Sequence, residues 1–263
     1  MSDFLLSLIL GLVQGLTEVL PISSSAHLIL PSLIFGSNDL GLYFDISVHA
    51  GTLVAVIYYF RSDIYLMTKS IFYNNSDELV KHRKLTYQLI IATLPIVITG
   101  FVFKDLIEQR IFSIDSIAIF NLFFAAILFI AFIRHKSNEG IYKLTVYAAL
   151  FIGIIQCFAL IPGASRSGTA ITAALLIGLN LKDASKFAFM LGIPTILGAM
   201  ILLLTDLKSV AMSFDLVILT SGFLTSMIFA FFTIKLFLGF VEKIGMIPFI
   251  AYRVLLGIFL ISM

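Results

Sequence analysis

The chain has 263 residues, 60% of them hydrophobic and 12% charged, with a formal net charge of +2. A soluble domain carries about 25% charged residues, so this chain has too few to cover a water-facing surface, and its small, dispersed positive charge gives no footing for a nucleic-acid partner. Long apolar runs with little alternation favour helices over a barrel, and the chain reads as an all-α integral membrane protein with a single polytopic domain.

The N-terminal stretch is apolar from Phe4 onward, and its flank holds Asp3 and no Lys or Arg. It lacks the basic flank of a cleavable signal peptide and is expected to be mature structure. This first stretch, Phe4–Ile34, is interrupted by Pro21-Ile22-Ser23-Ser24-Ser25-Ala26-His27. Three segments of spanning length follow: Tyr43–Phe60, Leu85–Phe103 and Ser116–Ile133. A second interrupted stretch, Leu144–Leu181, carries Pro162-Gly163-Ala164-Ser165-Arg166-Ser167-Gly168. Three more spans complete the chain: Phe187–Thr205, Leu216–Leu236 and Ile247–Ile261. Cys157, the one cysteine, lies in an apolar run and reads as packing.

Proline, glycine and clustered hydroxyls are tolerated at membrane depth only where the freed backbone is buried in protein or lines a wet cavity. Each break follows a Gly and a Gln at helical spacing, Gly11 and Gln14 in one case, Gly153 and Gln156 in the other. Each stretch is long enough for a helix, a tight turn and a second helix that returns to its own side. Under that topology one face collects Arg61, Lys69, Lys81, Arg83, Lys84, Arg134, Lys136, Lys143, Lys182, Lys186, Lys235 and Lys243. The other holds Lys104, Arg110 and Lys208. The positive-inside rule puts the first face in the cytoplasm and both termini outside. The expected architecture is therefore about six transmembrane helices plus two re-entrant helix-turn-helix segments. They form an inverted-topology repeat with halves of roughly 1–133 and 144–263. Phe44, Thr52 and Leu53 match Phe187, Thr195 and Ile196 in spacing. Paired interruptions of this kind mark a binding site near the bilayer midplane.

Gln14 and Glu18 are four apart and share a helical face. A carboxylate at membrane depth is a functional candidate, as a metal ligand or as a general acid or base. The alternative is a Glu snorkelling to the interface. One serine of Ser23-Ser24-Ser25 is expected to cap a second half-helix. His27 then sits in its first turn, a few residues from Glu18 and the serine cluster, and Ser, His and Glu form a set from which a nucleophile, a base and an orienting group can be drawn. In the second break, Arg166 offers a planar fork for phosphate oxygens. Ser165, Ser167 and the N–H groups of a following helix add donors, and Gly163 and Gly168 let the backbone come close. A simple pairing of Arg166 with Glu18 is also compatible with the sequence. Arg253 is expected to brace the site, His49 and Asp45 to line its entrance, and His82 and His135 to be solvated in basic loops.

These residues resemble the undecaprenyl-pyrophosphate phosphatase family, the bacitracin-resistance type. Gln14 and Glu18 match its acidic motif; Leu20, Pro21, Ser23, Ser24 and His27 match the segment that continues it. Pro162, Gly163, Ser165, Arg166, Ser167 and Gly168 match its second motif, and Ile247, Pro248, Phe249, Tyr252 and Arg253 a later one. Two positions depart from the commoner pattern: Gln14 stands where Glu is usual, and His49 where Gln is expected.

The resemblance implies hydrolysis of undecaprenyl pyrophosphate to the monophosphate and phosphate, recycling the lipid carrier of peptidoglycan synthesis in the bacterial cytoplasmic membrane. It implies a divalent cation, Mg or Ca, held by Glu18 with Gln14, and access from the extracytoplasmic side. Glu18, Ser24, His27 and Arg166 are then the catalytic set, and Ser23, Ser25, Ser165, Arg166, Ser167 and Gly168 the phosphate-binding set. Ser24 with His27 as base, His27 itself, or water could attack. A lipid-phosphate transporter would need the same anion clamp but no nucleophile beside a base. The sequence leaves homo-oligomerisation open.

Overall fold

The computed structural model describes residues 2–73, 75–104, 113–136, 139–206 and 215–263. They form eleven helices: α1 Asp3–Thr17, α2 Ser24–Phe35, α3 Gly41–Tyr59, α4 Arg61–Phe72, α5 Asp77–Val102, α6 Ile114–Arg134, α7 Val146–Gln156, α8 Arg166–Leu176, α9 Leu181–Asp206, α10 Leu216–Ile244 and α11 Ile247–Ile261. Short 3-10 turns cover Ile141–Lys143 and Cys157–Leu160. Among the described residues, the sole β feature is an isolated bridge between Glu139 and Leu179.

Five of these helices are long and apolar enough to cross a membrane: α3, α5, α6, α10 and the Leu181–Leu202 stretch of α9. The sixth expected span forms as α11, a helix of 15 residues, somewhat short for a hydrocarbon core about 30 Å thick. Phe101, Leu255, Ile98 and Leu216 present their side chains outward, as a lipid-facing surface requires. Two expected spans are longer than their apolar windows. α5 begins at Asp77, where the Ser76 hydroxyl accepts from Leu79 N–H, and α10 runs on to Ile244. Arg110 and Lys208, two of the three charges assigned to the sparse face, lie outside the described residues.

Both interrupted stretches fold as helix, turn, helix: α1 and α2 around residues 18–23, α7 and α8 around residues 157–165. The first half-helix of each lies against a long helix from the other half of the chain, α1 on α10 and α7 on α5. Small residues make both approaches close. A Cβ on Gly15 would come 2.6 Å from the Ser226 carbonyl oxygen, and one on Gly153 would meet the Ala92 backbone. Each second half-helix opens just after a serine at φ 73°, Ser23 and Ser165, the two non-glycine residues with positive φ among the described residues. A left-handed serine costs roughly 1–2 kcal/mol, so surrounding contacts must hold both turns in place.

Arg253 supplies those contacts. It lies in α11, is fully buried, and donates to the carbonyls of Pro21 (3.3 Å), Gly163 (2.6 Å) and Ala164 (3.2 Å). It also donates to Asn121 in α6, through the side-chain oxygen at 2.9 Å and the carbonyl at 3.1 Å. One guanidinium thus ties the turn of the first break to the turn of the second. The bracing role expected of Arg253 is the one it occupies.

Candidate active site

The two breaks meet at Glu18 and Arg166. Glu18 follows the last residue of α1, and Arg166 opens α8, so each is delivered by the point where its helix stops or starts. An Arg166 Nη2 donates to Glu18 Oε1 at 2.7 Å, and Nη1 to the Ala188 carbonyl in α9 at 3.0 Å. The pairing considered from sequence therefore exists. Both side chains are largely buried, at 5% and 13% exposed. Breaking a buried pair by deleting one partner costs about 3–5 kcal/mol, so neither charge is tolerable there without the other or a replacement.

The second Glu18 oxygen gathers the groups of the first half. Gln14 Nε2 donates to Oε2 at 3.0 Å, as the four-residue spacing requires, and the Ser24 hydroxyl donates to the same atom at 2.6 Å. His49 Nε2 in α3 is 3.7 Å from it. His49 was expected at the entrance; it stands against the carboxylate. Its Nδ1 donates to the Asp45 carbonyl at 2.7 Å, which leaves Nε2 turned toward Glu18.

His27 does not join this cluster. Its Nδ1 lies 2.7 Å from the Ser23 carbonyl and its Nε2 2.6 Å from the Tyr252 hydroxyl in α11. The serines of the second break hold backbone: Ser165 Oγ accepts from Gly168 N–H at 3.1 Å, capping α8, and Ser167 donates to the Leu20 carbonyl at 2.8 Å, linking the breaks. Ser165 and Ser167 also lie 3.3 Å apart, oxygen to oxygen. Gly168 packs under Arg253, where a Cβ would come 3.2 Å from Nη1. Ser23 is buried in its strained turn. The side chain of Ser25 lies outside the described residues.

Gln14 Oε1 is buried and has no hydrogen-bond partner. It is a hard oxygen beside a carboxylate, the kind of donor Mg²⁺ and Ca²⁺ use. Among the described residues no three His, Cys, Asp or Glu side chains cluster to hold a metal by themselves. Mg²⁺, however, usually takes one or two carboxylates plus substrate phosphates. Glu18 would supply the carboxylate, and Gln14 Oε1 a neutral oxygen beside it.

Three features escaped the sequence reading. Asn121, alone and polar within an apolar span, both accepts from Arg253 and donates to its carbonyl at 2.6 Å. Tyr252 was legible only as one letter of the motif that contains Arg253. His82, expected to be solvated, is buried within α5: it bonds the Glu78 carbonyl through Nδ1 and the Tyr142 hydroxyl through Nε2, at 2.8 and 3.2 Å. It belongs to a network at one end of the helices, with the Lys186–Asp63 pair at 2.6 Å.

Residues 7–259 match the family model described as bacitracin resistance protein BacA. An undecaprenyl-diphosphatase of Alcanivorax borkumensis is 43% identical over 265 residues, covering 98% of each chain. One of Saccharophagus degradans is 43% identical over 258 residues, covering 97% of this chain and 96% of the relative. The match spans both breaks and the helix that carries Arg253, and the chain belongs to the bacitracin resistance protein BacA family.

Proposed function

We propose that the chain is a membrane phosphatase that hydrolyses undecaprenyl pyrophosphate to undecaprenyl phosphate and inorganic phosphate. The observation that carries this reading is the Ser24 hydroxyl, 2.6 Å from a carboxylate whose other oxygen holds Arg166 at 2.7 Å. A nucleophile, a base and an anion clamp meet between apolar helices, in a chain 43% identical to undecaprenyl-diphosphatases. A transport site would need only the clamp.

Arg166 and the N–H groups opening α8 bind the pyrophosphate and stabilise charge spreading over the transferred phosphoryl group. Glu18 takes the Ser24 proton as Oγ attacks the terminal phosphorus. The P–O bond to the lipid phosphate breaks, and that oxygen keeps the electron pair. Water then attacks the phosphoserine, Glu18 returns its proton to Ser24 Oγ, and the surplus water proton leaves with phosphate. The hydrogen bonds favour Glu18 over His27 as the base, because both imidazole nitrogens are engaged elsewhere. A divalent cation, held by Glu18 and Gln14 together with pyrophosphate oxygens, would neutralise charge on the substrate.

The same reading includes six spans and two re-entrant stretches in an inverted repeat, with the site open to the extracytoplasmic side of the bacterial cytoplasmic membrane. The crossed packing of α1 on α10 and α7 on α5 supports it, as do the two left-handed serines. Product release there would recycle the lipid carrier of peptidoglycan synthesis and oppose bacitracin.

The test is phosphate release from undecaprenyl pyrophosphate by detergent-purified protein, followed by rapid quench. Phosphate release with label on Ser24 is expected. Phosphate release with label on His27, or with no covalent adduct, would overturn the assignment of Ser24. Absence of release would overturn the phosphatase reading and favour a transporter.

A further inference from the structure

We infer that Tyr252 is a positioning residue for His27, fixing which nitrogen carries the proton and which way the ring faces. The inference rests on the phosphatase reading for its effect on turnover. The Ser23 carbonyl can only accept, so the proton on His27 Nδ1 is assigned by its 2.7 Å contact. The Nε2 of a neutral ring then carries a lone pair, and the Tyr252 hydroxyl at 2.6 Å must be the donor. The two rings lie within 15° of parallel with centroids 5.6 Å apart, so the phenol packs alongside the imidazole as well as bonding to it.

The placement of Tyr252 follows from its neighbour. Arg253 makes five hydrogen bonds to the turns and to Asn121, which locks α11 against rotation and sliding. The next residue back along a helix points about 100° away. Arg253 is fully buried while Tyr252 is 42% exposed. The buried arginine therefore sets the depth at which the half-exposed tyrosine meets His27. Ser24 and His27, three residues apart at the start of α2, share a face yet bond to different partners. Tyr252 keeps the imidazole from closing on Ser24 and leaves Glu18 as that hydroxyl's acceptor.

Tyr252→Phe keeps the ring and removes the donor. It is measured by phosphate release from a polyprenyl pyrophosphate, alone and in a His27→Gln background, and by the ¹⁵N spectrum of histidine-labelled protein. The expected result is a kcat about tenfold lower with KM within about twofold, on the scale of one lost hydrogen bond. The His27 Nε2 resonance should move while Nδ1 remains protonated. Added to His27→Gln, the change should cost nothing further, because residues acting through one another are not additive. A wild-type kcat, an unmoved Nε2 resonance, or an equal loss in both backgrounds would each overturn the inference. If wild-type protein released no phosphate, the phosphatase reading would fall instead, and the spectrum would still decide the Tyr252–His27 bond.

Discussion

Gly192→Ala tests the site at its tightest point. Gly192 lies in α9 beneath the Arg166 guanidinium, and a Cβ there would stand 2.7 Å from Cζ and 2.9 Å from Nη2. Relaxed contact between such atoms needs about 3.5–4.0 Å, so the guanidinium must retreat by about 1 Å. It is the far end of a flexible side chain, and the helix can keep its course while the 2.7 Å bond to Glu18 and the 3.0 Å bond to Ala188 stretch. A misplacement of about 1 Å costs on the order of a hundredfold in rate, about 2.7 kcal/mol at about 1.36 kcal/mol per tenfold. The fold should lose far less. Alanine gains up to about 1 kcal/mol over glycine in a helix, against roughly 1–3 kcal/mol of overpacking. Phosphate release and thermal unfolding, measured on the same preparation, separate the two quantities. Gly198→Ala in the same helix is the control, since its Cβ would meet only Val97 at 3.7 Å, and its activity should match wild type. Activity of Gly192→Ala within about threefold of wild type would refute both the required position of Arg166 and the reason for a glycine beneath it.

Arg253→Lys should lower both activity and thermal stability. An ammonium cannot serve Pro21, Gly163, Ala164 and Asn121 at once, and each buried carbonyl left unpaired costs about 1–3 kcal/mol; unchanged unfolding would contradict the bracing role. Gln14→Glu replaces a donor to Glu18 with a second carboxylate, and two adjacent carboxylates resist joint ionisation. Its activity after chelation should fall below that of wild type and recover further on adding Mg²⁺ or Ca²⁺, read by a metal titration of turnover. Tyr142, outside the spans, has its phenol pushed above the usual range by burial, with Asp63, Asp183 and Glu78 adding to it. The unfolded chain then ionises first, so this stabilisation is intact below about pH 10 and is lost as pH rises beyond it. Tyr142→Phe should flatten that alkaline decline in unfolding scans, and an unchanged slope would count against the coupling.

The legible and illegible parts of this molecule divide by range. Pro21, Ser23, Gly163 and Ser165 break their helices through local backbone chemistry, and both breaks occur where those letters stand. The Gln14–Glu18 contact is equally local, one helical turn long. His82 was misread because its apolar window ended at Leu85, while the helix continues to an N-cap at Ser76 and carries it into contact with Tyr142. Periodicity says which residues share a face. It does not say which distant residue that face meets, and the bonds of Asn121 and Tyr252 to residues far along the chain depend on helix register alone.

The same distinction explains why two similar turns carry unlike side chains. Aligning Ser23 with Ser165, the two strained serines, sets Ser24 against Arg166 and His27 against Thr169. The Glu18 that precedes the first turn has no acidic counterpart before the second, where the nearest letters are Phe158, Ala159 and Leu160. A buried charge without a partner costs several kcal/mol, so neither turn could bury its own charged residue alone. Each becomes tolerable when the other arrives, which makes the Glu18–Arg166 pair a reason for the halves to close as well as a feature of the closed state. In the proposed reaction the substrate enters as a competing anion. As its phosphates draw Arg166 toward themselves, Glu18 gives up part of its guanidinium while keeping the Ser24 hydroxyl. A carboxylate so released is a better acceptor for that proton. Substrate binding and nucleophile activation are then coupled through one ion pair, and the pairing of Arg166 with Glu18 in the resting protein is a step of the mechanism rather than an alternative to it.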